Sequence, residues 1–141
     1  MNKITLSEWQ DPNIIKAALN QKKIAVVGMS AKAHRASYLV GDYLVQNGYE
    51  VIPVNPRETE ILGLKCYPSL QDVPGSIDIV NVFRASSVVP QIAEESVKIG
   101  AKYLWLQLEV ISPEGVSIAT QGGLQCIVDR CLKIEHAKYM V

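Results

Sequence analysis

No stretch of this 141-residue sequence is apolar for long enough to cross a bilayer. Its first ten residues carry Lys3 and Glu8 among polar side chains and lack the apolar core of a secretory signal. The two absences make a cytoplasmic protein with no membrane partner the expectation. An excess of charge of one sign is also missing: Lys plus Arg number 14, Asp plus Glu number 14, and the formal net charge is zero. Nucleic-acid binders carry a basic surplus, so no nucleic-acid partner is expected. A neutral chain has little electrostatic protection against self-association, which leaves a homodimer possible. Cysteine is scarce and odd in number: Cys66, Cys126 and Cys131 lack metal-ligand spacing. No metal site and no disulfide scaffold follow from them, and a reducing compartment suits them.

What is present is an alternation of apolar runs and helical patterns. The apolar run at residues 24–27 ends at Gly28 and reads as a buried strand. Residues 37–47 follow at helical spacing, closed by Gly48. Strands are expected at 51–54, 77–83, 103–108 and 124–128, and helices at 88–99 and 113–121. Residues 60–67 read as a short excursion, and 69–73 as one helical turn. A further helix over 12–20 is opened by Asp11 as N-cap with Pro12 behind it. Strands apolar on both faces and alternating with helices predict an α/β fold: a Rossmann-like, doubly wound, mainly parallel five-stranded sheet with helices on both faces. The division expected is an N-terminal helical extension over 1–22 and one Rossmann-like domain over 23–141.

In such sheets ligands bind beyond the carboxyl ends of the strands, at the switch in strand order. The first strand runs into Gly28, Ser30, Ala31, Lys32, Arg35 and Ser37. Small residues let backbone N–H groups approach a phosphate, a helix N-terminus follows, and Lys32 and Arg35 add cations. The G-x-G-x-x-G fingerprint is absent, since Ser30 and Ala33 hold its later glycine positions. The second strand ends Val54-Asn55-Pro56-Arg57, without the acidic residue that holds a ribose 2′-hydroxyl in NAD sites. An arginine there suits a phosphorylated ribose, as in coenzyme A or NADP. Phe83 and Arg84 end the third strand and Gln107 follows the fourth.

Several of these pieces resemble a known family. They are Val26-Val27-Gly28-x-Ser30, Arg35-x-Ser37, the run 48–56, Val82-Phe83-Arg84, Trp105-Leu106-Gln107 and the run 129–136. In order and spacing they are similar to the small CoA-binding-domain proteins, which resemble the CoA-binding domain of the succinyl-CoA synthetase α subunit. The resemblance implies that the chain holds coenzyme A, or an acyl-CoA, along the carboxyl edge of the sheet. It establishes no reaction. Two positions depart from the family: Ala33 where many relatives carry proline, and Glu109 where glycine is usual.

A binding or regulatory module without catalytic residues is the reading these observations favour, and an unidentified protein partner is left open. The alternatives are an NADP-type oxidoreductase, a fragment of an acyl-CoA ligase, or an interaction protein that has lost its ligand. A dehydrogenase needs a substrate domain with an acid/base group, and a ligase needs an ATP site; neither pattern is found. Cys131 and His136 stand five residues apart, a spacing that does not bring helical side chains together, so no Cys–His nucleophile is expected. The mixed charges of residues 130–138 read as a solvated or dimer-contact segment, and Trp9, Tyr38, Tyr43 and Trp105 as core or interface aromatics.

Overall fold

The computed structural model describes residues 4–141. Residues 1–3 of the expected extension lie outside the described residues. Helix α1 (Pro12–Leu19) opens as its sequence directs, with the Asn13 N–H donating to the Asp11 carboxylate at 2.8 Å. Then come β1 (Lys23–Val27), α2 (Ala36–Gln46) and β2 (Glu50–Val54). A hairpin of β3 (Glu60–Ile61) and β4 (Leu64–Lys65) turns through Leu62 and Gly63, both at positive φ (58° and 73°), as a tight primed turn requires. The chain continues through β5 (Ile79–Val82), α3 (Val89–Lys98), β6 (Tyr103–Leu106), α4 (Pro113–Gln121), β7 (Gln125–Ile127) and α5 (Leu132–Tyr139).

Five strands form one parallel sheet in the order β2-β1-β5-β6-β7. Strand side chains alternate between two apolar layers. Ala25, Val27, Val80, Val82, Leu104 and Leu106 face α3 and α4, which contribute Val89, Ile92, Val116 and Ala119. Ile24, Val26, Ile79, Tyr103 and Trp105 face the other way, against Ile15 and Leu19 of α1, Leu44 of α2 and Leu132 of α5. The doubly wound α/β sheet is thus the observed architecture, and its strand order reverses between β1 and β5.

Each sheet edge is met at its carboxyl end by another part of the chain. At β2, the Tyr67 N–H donates to the Pro53 carbonyl (3.0 Å) and the Asn55 N–H to the Tyr67 carbonyl (2.9 Å). At β7, the Val128 N–H donates to the Trp9 carbonyl (3.1 Å), and the Gln10 side-chain amide to the Val128 carbonyl (3.0 Å).

Three strands are shorter than their apolar runs: β5 covers Ile79–Val82 of the expected 77–83, β6 Tyr103–Leu106 of 103–108, and β7 Gln125–Ile127 of 124–128. The surplus residues are apolar because the core continues past the ladder; Ile77, Leu124 and Val128 remain buried in it. The reading of residues 130–138 as solvated is corrected. They form most of α5, and Leu132, Glu135 and His136 are buried. The His136 ring is hydrogen-bonded through Nδ1 to the Tyr43 hydroxyl at 2.9 Å and meets Tyr43 and Tyr49 edge-on.

Candidate functional site

The carboxyl end of β1 turns at Gly28, whose φ of +86° suits glycine. A Cβ there would stand 2.6 Å from the Phe83 carbonyl oxygen and 2.8 Å from Cδ of Arg84. The turn therefore brings the first loop against the end of β5, with the Arg84 side chain lying over the glycine. Ser30 and Ser37 brace this loop: the Ser30 N–H donates to Oγ of Ser37 (2.9 Å) and the Lys32 N–H to Oγ of Ser30 (3.0 Å). Ala31, Lys32 and Arg35 are exposed on its outer side. Arg35 is the N-cap of α2 and its side chain caps none of the first-turn N–H groups of this helix. Beneath them Met29 is fully buried and fills the space that a Cβ at Gly41 would enter.

Asn55 ties the second strand end to the first loop. Its Nδ2 donates to the Met29 carbonyl, and its Oδ1 accepts from the Arg57 N–H, each at 2.9 Å. Both ends of its amide are spent on the scaffold, while Pro56 and Arg57 project as exposed residues. A cleft of about 240 Å³ opens here, lined by Pro56, Pro68, Ser69, Arg84, Gln91 and Glu95 among others. It lies at the carboxyl ends of β2, β1 and β5, at the reversal in strand order. Pro68, Ser69, Gln91 and Glu95 escaped the sequence reading; the first two follow the short hairpin and the last two sit one turn apart on α3, away from any strand end.

The ends of β6 and β7 make a second corner. Gln107 is buried, and its Oε1 has no hydrogen-bond partner. On the next strand Asn81 is fully buried, with neither Nδ2 nor Oδ1 paired. The sequence carried a signal for Asn81, an amide interrupting the apolar run of β5. Trp105 is wholly core, and its Nε1 donates to the Arg130 carbonyl at 2.9 Å. Glu109 sits at φ +68° and Asp129 at φ +59°, and the Glu109 N–H donates to Oδ1 of Asp129 at 2.6 Å. That left-handed backbone gives the physical reason for glycine at position 109 in the resembling family.

The fold therefore gathers Gly28, Ser30, Ala31, Lys32, Arg35 and Ser37 in one loop, with Asn55, Pro56, Arg57 and Arg84 around its base. Phe83 donates its N–H to the Val27 carbonyl (2.8 Å) and packs its ring against the opposite side of the sheet from the cleft. Gln107 belongs to the second corner. His136 lies away from both, among tyrosines, and Cys131 is buried at the start of α5. Burial pushes the Cys126 thiol up to about 11 and also raises Cys66. Among the described residues no cluster of His, Cys, Asp and Glu could hold a metal, and no helix is long and apolar enough to cross a membrane.

The chain shares this arrangement with known proteins. The model of a CoA binding domain matches residues 22–137. YneT, an uncharacterized protein of Bacillus subtilis, is 42% identical over 116 residues, which cover 82% of this chain and 86% of that protein. The acetate–CoA ligase (ADP-forming) II of Archaeoglobus fulgidus is 33% identical over 96 residues, 67% of this chain but 14% of the enzyme. The structure of a hypothetical protein from Pyrococcus horikoshii superposes with a TM-score of 0.93 at 35% identity, each chain covered in full. These likenesses, over nearly the whole chain and on the same sheet, establish that it belongs to the CoA binding domain family, related to components of ADP-forming acyl-CoA ligases.

Proposed function

We propose that this chain binds coenzyme A or an acyl-CoA at the carboxyl edge of its sheet, as a binding or regulatory module without catalytic residues. The observation that carries the proposal is the cleft of about 240 Å³ at the ends of β1, β2 and β5, where such sheets take nucleotides, with the first loop and the start of α2 following directly from β1. The pyrophosphate lies against the first-turn N–H groups of α2, where the helix dipole favours anions. Lys32 and Arg35 add charge, and the absence of a side chain on Gly28 leaves room for close approach. The 3′-phosphate pairs with Arg57, and Arg84 bridges the loop and the cleft. The base enters between Pro56 and Pro68, with Gln91 and Glu95 offering acceptors to its exocyclic amine.

The coenzyme supplies a thiol that carries acyl groups; every group named in this chain holds or orients it. From the ligase relatives the proposal takes the coenzyme and not the reaction, because this chain spans only 14% of the Archaeoglobus enzyme.

Isothermal titration with coenzyme A, its 3′-dephospho form and NAD tests the reading. The expected order is coenzyme A tightest, with about 1.5–3 kcal/mol lost when the 3′-phosphate is removed, the worth of a charge-assisted hydrogen bond. NAD binding as tight as coenzyme A overturns it.

A further inference from the structure

Three side-chain atoms buried at the second corner have no hydrogen-bond partner: Nδ2 and Oδ1 of Asn81 and Oε1 of Gln107. Asn81 is 0% exposed and Gln107 6%. Asn81 pairs in register with Trp105. Gln107 stands one residue past β6 and continues the ladder through its N–H on the Val82 carbonyl (3.2 Å), which puts it diagonal to Asn81 on the same face. Cys131 belongs to the apolar layer on that face. Its neighbour Arg130 is pinned to the end of β6 by its N–H on the Leu106 carbonyl (3.3 Å) and by the Trp105 indole on its own carbonyl.

Nearly all buried polar groups in folded proteins are paired, and an unpaired one costs stability that an apolar side chain of the same shape would not. A lone orphan is common, but three atoms on two neighbouring residues of one face call for a common explanation. The valences have a definite pattern: Oδ1 and Oε1 accept, and Nδ2 donates. The complementary group offers two donors and one acceptor.

The thiol end of the pantetheine arm carries that set in its last amide N–H, the carbonyl of that amide, and the S–H. A thioester has lost the S–H and brings a second carbonyl against oxygens that can only accept. The position also fits. Counting from β1, which leads into α2, Asn81 on β5 is one interstrand spacing away and Gln107 at the end of β6 two, roughly 5–10 Å. The arm has three units of about a residue's length each, roughly 3.5 Å apiece.

We infer that Asn81 and Gln107 form the subsite for the terminal amide and thiol of the coenzyme's arm, and that this subsite selects free coenzyme A over its acyl thioesters. The inference rests on the coenzyme A reading above. Gln107 leads into the loop after β6, which is joined to the loop after β7 through the Glu109 N–H and the Asp129 carboxylate.

The test is titration calorimetry with four probes: coenzyme A, acetyl-CoA, dethio-CoA and adenosine 3′,5′-bisphosphate. The parent protein is expected to bind coenzyme A about tenfold or more tighter than acetyl-CoA and dethio-CoA, the consequence of one unmatched buried acceptor. Asn81→Leu is expected to lose that discrimination, to bind the bisphosphate as the parent does, and to melt no lower than the parent without ligand. Gln107→Met, at the more open end of the pair, is the second variant and is expected to lose part of the same discrimination. Equal affinity of the parent for coenzyme A, acetyl-CoA and dethio-CoA, with the bisphosphate still bound, overturns the subsite and leaves the coenzyme reading intact. Discrimination retained in both variants also overturns it. Failure of all four probes to bind overturns both readings.

Discussion

A methyl group on Gly28 would meet the Phe83 carbonyl oxygen at 2.6 Å, and the φ of +86° would strain any L residue. Gly28→Ala is therefore expected to destabilise the fold by about 2–4 kcal/mol, the sum of a strained backbone and an overpacked contact; urea denaturation measures it, and an unchanged midpoint rules it out. Position 109 presents the opposite case. Glu109 already occupies the left-handed region while its exposed side chain makes no hydrogen bond, and only its N–H is used. Glu109→Gly removes the strain and keeps that N–H, so a gain of about 0.5–1 kcal/mol is expected. A loss on thermal melting would mean that the Glu109 side chain supports the loop. The glycine at 28 was legible in the sequence as the end of an apolar run. The strain at 109 was not, because a residue's φ is set by the two loops that meet there and not by its own identity.

At the scale of elements, the five strands and four of the five helices were legible because each carries an apolar period or a cap of its own. Helix α5 was not. It turns Glu135 and His136 inward and leaves Ile134 56% exposed, so its sequence has no apolar stripe to read. Leu132 packs it into the core, and a hydrogen bond between His136 and Tyr43, 93 residues apart, adds to that docking. The cleft was half legible for a similar reason: its strand-end residues follow from the sheet, but Gln91 and Glu95 enter from a helix face and only packing of α3 brings them there.

The docking of α5 has a pH signature. Burial holds the His136 imidazole below the ordinary histidine value. The unfolded chain thus takes up a proton more readily than the folded one. The stability associated with neutral His136 is complete above about pH 6.5 and falls as the pH drops from there through the folded pKa. Asp78 works in a lower window. Desolvation raises its carboxyl, but hydrogen bonds from the Lys23 and Lys22 N–H groups and from Lys102 outweigh this and hold it below its usual value. Melting temperatures followed downward from pH 7.5 are expected to decline below about pH 6.5 in the parent and to stay flatter in His136→Gln. Parallel curves would place the pH dependence elsewhere.

For the whole molecule, binding and stability are linked. A ligand present at a hundred times its dissociation constant stabilises the folded state by about 2.7 kcal/mol. Coenzyme A at that excess is expected to raise the melting temperature, NAD at the same concentration to leave it nearly unmoved, and added salt to weaken the effect because the contacts are to phosphates. Equal shifts with both nucleotides would argue against the arginine at the end of β2 as the discriminating group.

The covered edges of the sheet bear on how copies of this protein meet one another. A neutral chain gains little from charge repulsion, and a bare strand edge would be the usual route to fibrils. Here the Tyr67 backbone occupies one edge and the Trp9 and Gln10 segment bonds to the end of the other. These bonds leave less of each edge open to a neighbour's strand, which disfavours growth of the sheet. A protease cut just after Gln10 would free the covering segment and expose the Val128 backbone at the β7 edge to a neighbour's backbone, making the clipped fold more prone to aggregate.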